Sequence, residues 1–422
     1  MRRSALTIGG MAVCSAALAL VGTAREARAQ GCVVNRQTTP LLGSTLGPYL
    51  RKGEWQAGAV YRTFRGETQY RGTRVSQPIT RLGNTVIPEL QTLDLAGTYA
   101  VDRQTNLTLN VPILVYGADN RALPANVPNA PRYVPSAKGL GDLSLTARRW
   151  LLDTETSRDQ NISLGLGVKA PTGNSNAMDS FPNATGHDIQ LRPVDPAIQP
   201  GDGGWGLIMD VQAFKQVRTA TLFFSGTYLM NPRGQTGTLS PRSALNPAGP
   251  SAVPAYERYN SVVDQYNARI GVSHPVPGVN GLSLLVAGRL EGVPTDDLAG
   301  TTIGFRRPGY TIAVEPGIIY ATGSTVFSLT VPVVTQRNIR AQLPGVPRDS
   351  TFADYQIIAG ISHRFGHTGK QATPLAPKIR VVDLRCPKCG ELHAPEGPRT
   401  VAALSEIAPT AIPSTSSARG EE

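Results

Sequence analysis

The chain changes sides at every residue, over and over. In FADYQIIAGISHRF (352–365), Tyr355, Ile357, Ala359, Ile361, His363 and Phe365 share one face, and Asp354, Gln356, Ile358, Gly360, Ser362 and Arg364 share the other. Strict period-two alternation marks a strand with one face in an apolar medium. The same pattern recurs at 55–63, 90–101, 106–115, 140–151, 161–170, 205–214, 220–230, 263–273, 281–291, 310–320 and 324–334, which with 352–365 makes twelve segments. An even number of strands suits an antiparallel arrangement that closes on itself.

The links between these segments fall into two classes. Residues 102–105, 152–160, 215–219, 274–280 and 321–323 are short, and they alternate with long Pro-, Gly- and Asn-rich links at 64–89, 116–139, 171–204, 231–262, 292–309 and 335–351. Short inner turns and long outer loops belong to an up-and-down antiparallel barrel in the bacterial outer membrane. A secreted β-sandwich shares the alternation but has no reason to sort its links by strand end. Aromatic residues agree with the barrel: Trp55, Trp205, Tyr228, Tyr310, Tyr320 and Phe365 fall near strand ends on the apolar face, as an interfacial girdle requires. Trp150 points inward by parity. Pro112, Pro316 and Pro332 lie within strands, where each removes a ladder hydrogen bond, and local bulges near the outer rim are expected there.

The ends read differently. Arg2-Arg3, an apolar run from Ala5 to Gly22 and Ala27-Arg28-Ala29 compose an export signal over residues 1–29. Its removal takes four arginines and one glutamate from a formal charge of +11, leaving +8. Residues 30–53 form an N-terminal periplasmic segment, 54–365 the barrel, and 366–422 a Pro-rich periplasmic tail. The tail holds Cys386-Pro-Lys-Cys389-Gly and His393. One such knuckle presents two thiolates to a zinc ion and lacks the second pair of a full site, so a disulfide and a zinc site completed by His393 both stay open. No other cofactor is expected.

The non-lipid face carries Arg62, Arg148, Lys169, Arg269, Arg289 and Arg364 against Asp94, Asp142, Asp210, Glu291, Glu315 and Asp354. Charge facing lipid is costly, so its restriction to one face points to a wet interior. Arg62, Asp94, Arg148, Lys169, Asp210, Arg269, Arg289, Glu315 and Asp354 are the candidate lumen lining. They line a solute path, or they fill a closed structural barrel with salt bridges. Twelve strands enclose less than a wide pore, so a narrow path is expected, gated by an inturned loop or by residues 30–53. An enzyme is disfavoured: His187 is in a long loop, and no G-x-S-x-G elbow accompanies it.

GLGDLSL (139–145), LGLGVKAPTG (164–173), GDGGWG (201–206), RRPGY (306–310) and the Arg364-Phe365 ending resemble outer-membrane proteins of the phenol-degradation meta-pathway type. The resemblance spans roughly residues 41–365. It implies a β-barrel that transports small, often hydrophobic or aromatic, molecules, and it supplies no residue roles. The aromatic end of the last strand resembles the signal read by the barrel-assembly machinery, although the tail continues beyond it. Expected partners are outer-membrane lipid, lipopolysaccharide phosphates at the basic loops, a small-molecule solute and that machinery, with no nucleic acid.

Overall fold

The computed structural model of the chain describes residues 46–342 and 348–366. It is a closed barrel of twelve antiparallel strands. The strands are β1 Trp55–Arg71, β2 Ile87–Ala100, β3 Thr105–Ala122, β4 (Ser136–Leu140 with Ser144–Trp150), β5 Gln160–Lys169 and β6 Gly206–Val217. They continue with β7 Ala220–Met230, β8 Gln265–Pro275, β9 Leu282–Val293, β10 Gly309–Thr322, β11 (Thr325–Thr330 with Val333–Ile339) and β12 (Ser350–Ala353 with Ile357–Phe365). Each strand pairs with its chain neighbours, and β1 pairs with β12 from Trp55↔Phe365 to Thr63↔Ile357. That last pairing removes the sheet edge, so the wall satisfies its own backbone polar groups, as a bilayer demands.

All twelve alternating segments are strands. Several run further outward than the alternation indicates, most of all β1, which continues through FRGETQYR (64–71) to pair with Arg74–Val75 and Ser350–Ala353. Outer strand ends that rise above the bilayer explain lengths beyond the roughly 9–11 residues a crossing needs.

The wall is inside out relative to a soluble protein. Ile270 is 66 % exposed while its neighbour Arg269 is 7 % exposed. Leu95, Leu109, Leu166, Leu284, Phe327 and Ile361 show large apolar side chains on other strands around the same outer surface. Trp55 stacks on Tyr99 with ring centroids 4.6 Å apart at the inner rim, and Trp205 is exposed where β6 begins at the outer rim. A continuous apolar belt with interfacial aromatics, on a closed even-numbered barrel, belongs in the bacterial outer membrane.

The three strand prolines sit halfway along their strands, not at the outer rim. Each keeps its carbonyl in the ladder but offers no N–H, and the neighbouring strand opens beside it. Gly141 N–H donates to the Pro112 carbonyl (2.7 Å) where β4 is interrupted. Val331 N–H donates to Pro316 and Gln356 N–H to Pro332 (3.0 Å each), where β11 and β12 are interrupted in turn.

Candidate solute path

A belt of paired charges crosses the lumen. The fully buried Glu315 of β10 accepts from Arg269 Nη2 (2.7 Å) and Nε (3.0 Å) of β8 and from Arg289 Nε (2.6 Å) of β9. Arg289 Nη1 also donates to Glu291 Oε1 (2.8 Å). The same oxygen accepts from Arg62 Nη1 (3.5 Å) on β1, and Glu291 Oε2 from Gln356 Nε2 (3.2 Å). Because β9 is not adjacent to β1, these bonds span the barrel interior. On the opposite wall Arg148 Nε of β4 donates to Asp210 Oδ1 of β6 (2.6 Å), reaching across Gly165 of β5. A Cβ at Gly165 would lie 3.1 Å from Asp210 Cβ and Oδ1, so the glycine leaves room for the pair.

The inner side of the belt lines a chamber of ≈ 160 Å³, which Gly47, Pro48 and Leu50 border as well. The Tyr49 ring meets Trp150 edge-on at 5.2 Å and Phe214 at 5.8 Å. Its hydroxyl donates to the Ser157 carbonyl (2.6 Å) and accepts from Asn161 Nδ2 (2.9 Å). Burial pushes that hydroxyl up to about 12, so it stays a donor at physiological pH. Arg364, near the inner end of β12, gathers the carbonyls of Leu46 (3.2 Å), Gly47 (2.6 Å) and Tyr49 (3.2 Å). Gly47, at φ +66°, makes the turn that points them one way.

The outer side is closed by the β5–β6 loop. Val194 and Ile198, both at most 1 % exposed, pack on the inward side chains of Phe64, Leu90 and Leu114. Between them Asp195 accepts from Arg307 Nη1 (2.8 Å) and Nη2 (2.7 Å) and from Arg121 Nη2 (3.3 Å). Above this plug lies a second cavity of ≈ 590 Å³, where Arg307 and Arg348 stand 4.9 Å and 5.4 Å from the Phe305 ring centroid. Burial alone would lift the Asp195 pKa, but Arg307 and Arg121 hold it well below the usual carboxylate range. With an unfolded value of about 3.9, this latch contributes fully above that pH and is lost only as pH falls through the depressed folded value. The outer closure is therefore expected to be unchanged between about pH 5 and 8. Asp195→Asn loosens it at both, and single-channel open times at the two pH values check this.

Three glycine motifs meet at the stem of that loop. Asp142 Oδ1 accepts from the Gly173 N–H and Oδ2 from the Asp202 N–H (2.9 Å each), and Lys169 Nζ lies 3.7 Å from Asp142 and pairs with Asp202. A Cβ on Gly201 would stand 2.5 Å from the Gly173 carbonyl oxygen and 2.7 Å from Asp142 Oδ1. Gly201→Ala is expected to pry the loop from the wall and expose it to limited proteolysis, whereas Gly237→Ala, which meets nothing within 4 Å, leaves the digestion pattern unchanged.

The structure gathers Arg62, Asp94, Arg148, Arg269, Arg289 and Glu315 around the inner chamber. Asp210 stands behind Arg148, and Lys169 serves the loop stem. Asp354 does not join them. The interruption of β12 beside Pro332 shifts its parity, so Ala353 packs inward with Phe64 while Asp354 is exposed and pairs with Arg337 (2.6 Å). His187 is exposed, its carbonyl accepting from the Asn183 N–H (2.9 Å). Residues 1–29, Cys386, Cys389 and His393 lie outside the described residues.

No family model matches the chain, and no curated protein matches it. Among solved structures it is similar to an outer membrane channel from Pseudomonas putida F1, with 14 % identity and a TM-score of 0.49, covering 78 % of this chain and 100 % of that one. It is also similar to the β-domain of a Bordetella autotransporter (10 % identity, TM-score 0.38, 74 % and 100 % covered). A third is the toluene transporter of Pseudomonas putida (10 % identity, TM-score 0.36, 77 % and 92 % covered). Identities this low carry no residue roles across.

Proposed function

We propose that the barrel passes small solutes across the bacterial outer membrane, through a lumen that this structure holds closed at both ends. The observation that carries the reading is a chamber within a lumen that two pieces of chain outside the strand wall enter from its two ends. Residues 46–50 enter on the inner side, and the loop bearing Val194 and Ile198 on the outer side. Wall side chains that merely filled a dead lumen would need neither. The apolar patches flanking the belt, around Trp150 and Phe214 below and Phe64 and Leu90 above, favour solutes with an apolar or aromatic body. This agrees with a place among outer-membrane transporters of the phenol-degradation meta-pathway type. The exposed Arg74 and Arg81 suit lipopolysaccharide phosphates, and Phe365 suits recognition by the assembly machinery.

A second reading, a closed structural barrel, draws on the belt itself, whose Arg62–Glu291 bridge spans the interior. Liposome swelling separates the two. Permeation of a small sugar or alcohol is expected to be slow through the native barrel and faster through Tyr49→Ala. Rates equal to those of protein-free liposomes for both proteins would favour the closed barrel.

A further inference from the structure

The inner chamber has more hydrogen-bond donors than its own acceptors can use. Arg62, Arg148, Arg269, Arg289 and Arg364 line it against Asp94 and Glu315. Glu315 is fully covered, with both oxygens taken by Arg269 and Arg289, and Asp94 is 2 % exposed. The guanidiniums are not used up. Among the described residues, both Nη atoms of Arg148, Nη1 of Arg269, Nη2 of Arg289, and Nε and Nη2 of Arg62 have no protein partner. These four side chains are more than nine-tenths buried yet keep 7–9 % accessible surface. In the same wall Trp150 Nε1 and Gln212 Nε2 are buried without an acceptor.

A guanidinium offers five N–H donors and accepts nothing, and a carboxylate takes two of them in a matched fork. The rest of the wall mixes apolar side chains, Leu50, Val60, Trp150, Val326 and Ile358, with amides and hydroxyls such as Asn106, Asn267, Thr98 and Ser328. The volume of ≈ 160 Å³ is close to the roughly 150 Å³ cavity that accepts one benzene ring. We propose that this chamber is a binding site for a small organic monocarboxylate with one aromatic ring or a chain of that bulk, its carboxylate held by the free nitrogens of Arg62, Arg148, Arg269 and Arg289. The proposal rests on the lumen being the solute path and names the class of solute that pauses there. The belt then acts as a relay of cations that compensates the charge of the solute once water is left behind, with Tyr49 as the inner door.

The test is calorimetric titration of the refolded full chain, native and Tyr49→Ala, with benzoate and with benzyl alcohol as the neutral counterpart of similar bulk. Benzoate is expected to bind once per barrel and at least about tenfold more tightly than benzyl alcohol. Its affinity is expected to fall about tenfold or more in the double variant Arg148→Met/Asp210→Asn, which removes the guanidinium together with its partner charge. Absence of benzoate binding to both folded proteins, equal affinity for the two compounds, or binding unmoved in the double variant would overturn the site. Permeation measured in parallel keeps the two claims apart. Benzoate binding without any permeation upholds the site and contradicts the path, and permeation without benzoate binding overturns the site alone.

Discussion

Arg364→Ala raises the conducting fraction of the barrel by about tenfold or more. The guanidinium donates to three carbonyls of the inner plug, at 2.6–3.2 Å. Hydrogen bonds to a charged donor contribute about 1.5–3 kcal/mol each when measured singly, and about 1.4 kcal/mol is a tenfold population shift. Loss of even one such bond in net terms is enough. The barrel itself is expected to persist, because the change sits at the inner end of β12, whose backbone pairing with β1 is untouched. The readout is open probability in single-channel records. Tyr49→Ala should move it the same way, since it removes the ring wedged against Trp150 and Phe214. Unchanged open probability in both variants would show that residues 46–50 are not a gate.

Glu315→Gln has the largest expected effect on stability, a loss of about 3–5 kcal/mol. The carboxylate is fully buried and is shared by Arg269 and Arg289. An amide offers one acceptor oxygen and no charge, which leaves two buried cations facing each other across adjacent strands. Urea unfolding in lipid vesicles reads the loss. Asp354→Asn is the control: its side chain is 59 % exposed, so the change stays within about 0.5 kcal/mol. Where the Glu315→Gln barrel still folds and conducts, it should also be more anion-selective than the native one, because its belt carries unbalanced positive charge.

Much of the wall is legible from residue order alone, because lipid outside and water inside impose period two on every strand. Trp150 illustrates how far parity reaches: it points inward in the sequence pattern and is 2 % exposed inside the barrel. Parity fails where the ladder is broken. Asp354 shares its even position with Gln356 and Ile358, but the interruption beside Pro332 inserts a step that no count of residues reveals. Strand ends are also hidden, since FRGETQYR (64–71) alternates without the apolar face that lipid would demand. The two closures are the least visible. Asp195 meets Arg121 at a separation of 74 residues and Arg307 at 112, and Tyr49 meets Asn161 at 112. Such contacts follow from the closed barrel, which sets chain-distant residues side by side. The glycine motifs at 139–145, 164–173 and 201–206 carry a local signal, and their meeting around Asp142 gives it a physical meaning: only backbones without side chains approach this closely.

The most direct test of a gated solute path is single-channel conductance in a planar bilayer, with the native chain beside a Tyr49→Ala/Asp195→Asn variant that loosens both closures. Brief, rare steps are predicted for the native barrel and frequent, longer ones for the variant. A silent membrane with both proteins, each shown to be folded by its shifted migration when unheated, would contradict the path and leave a closed barrel.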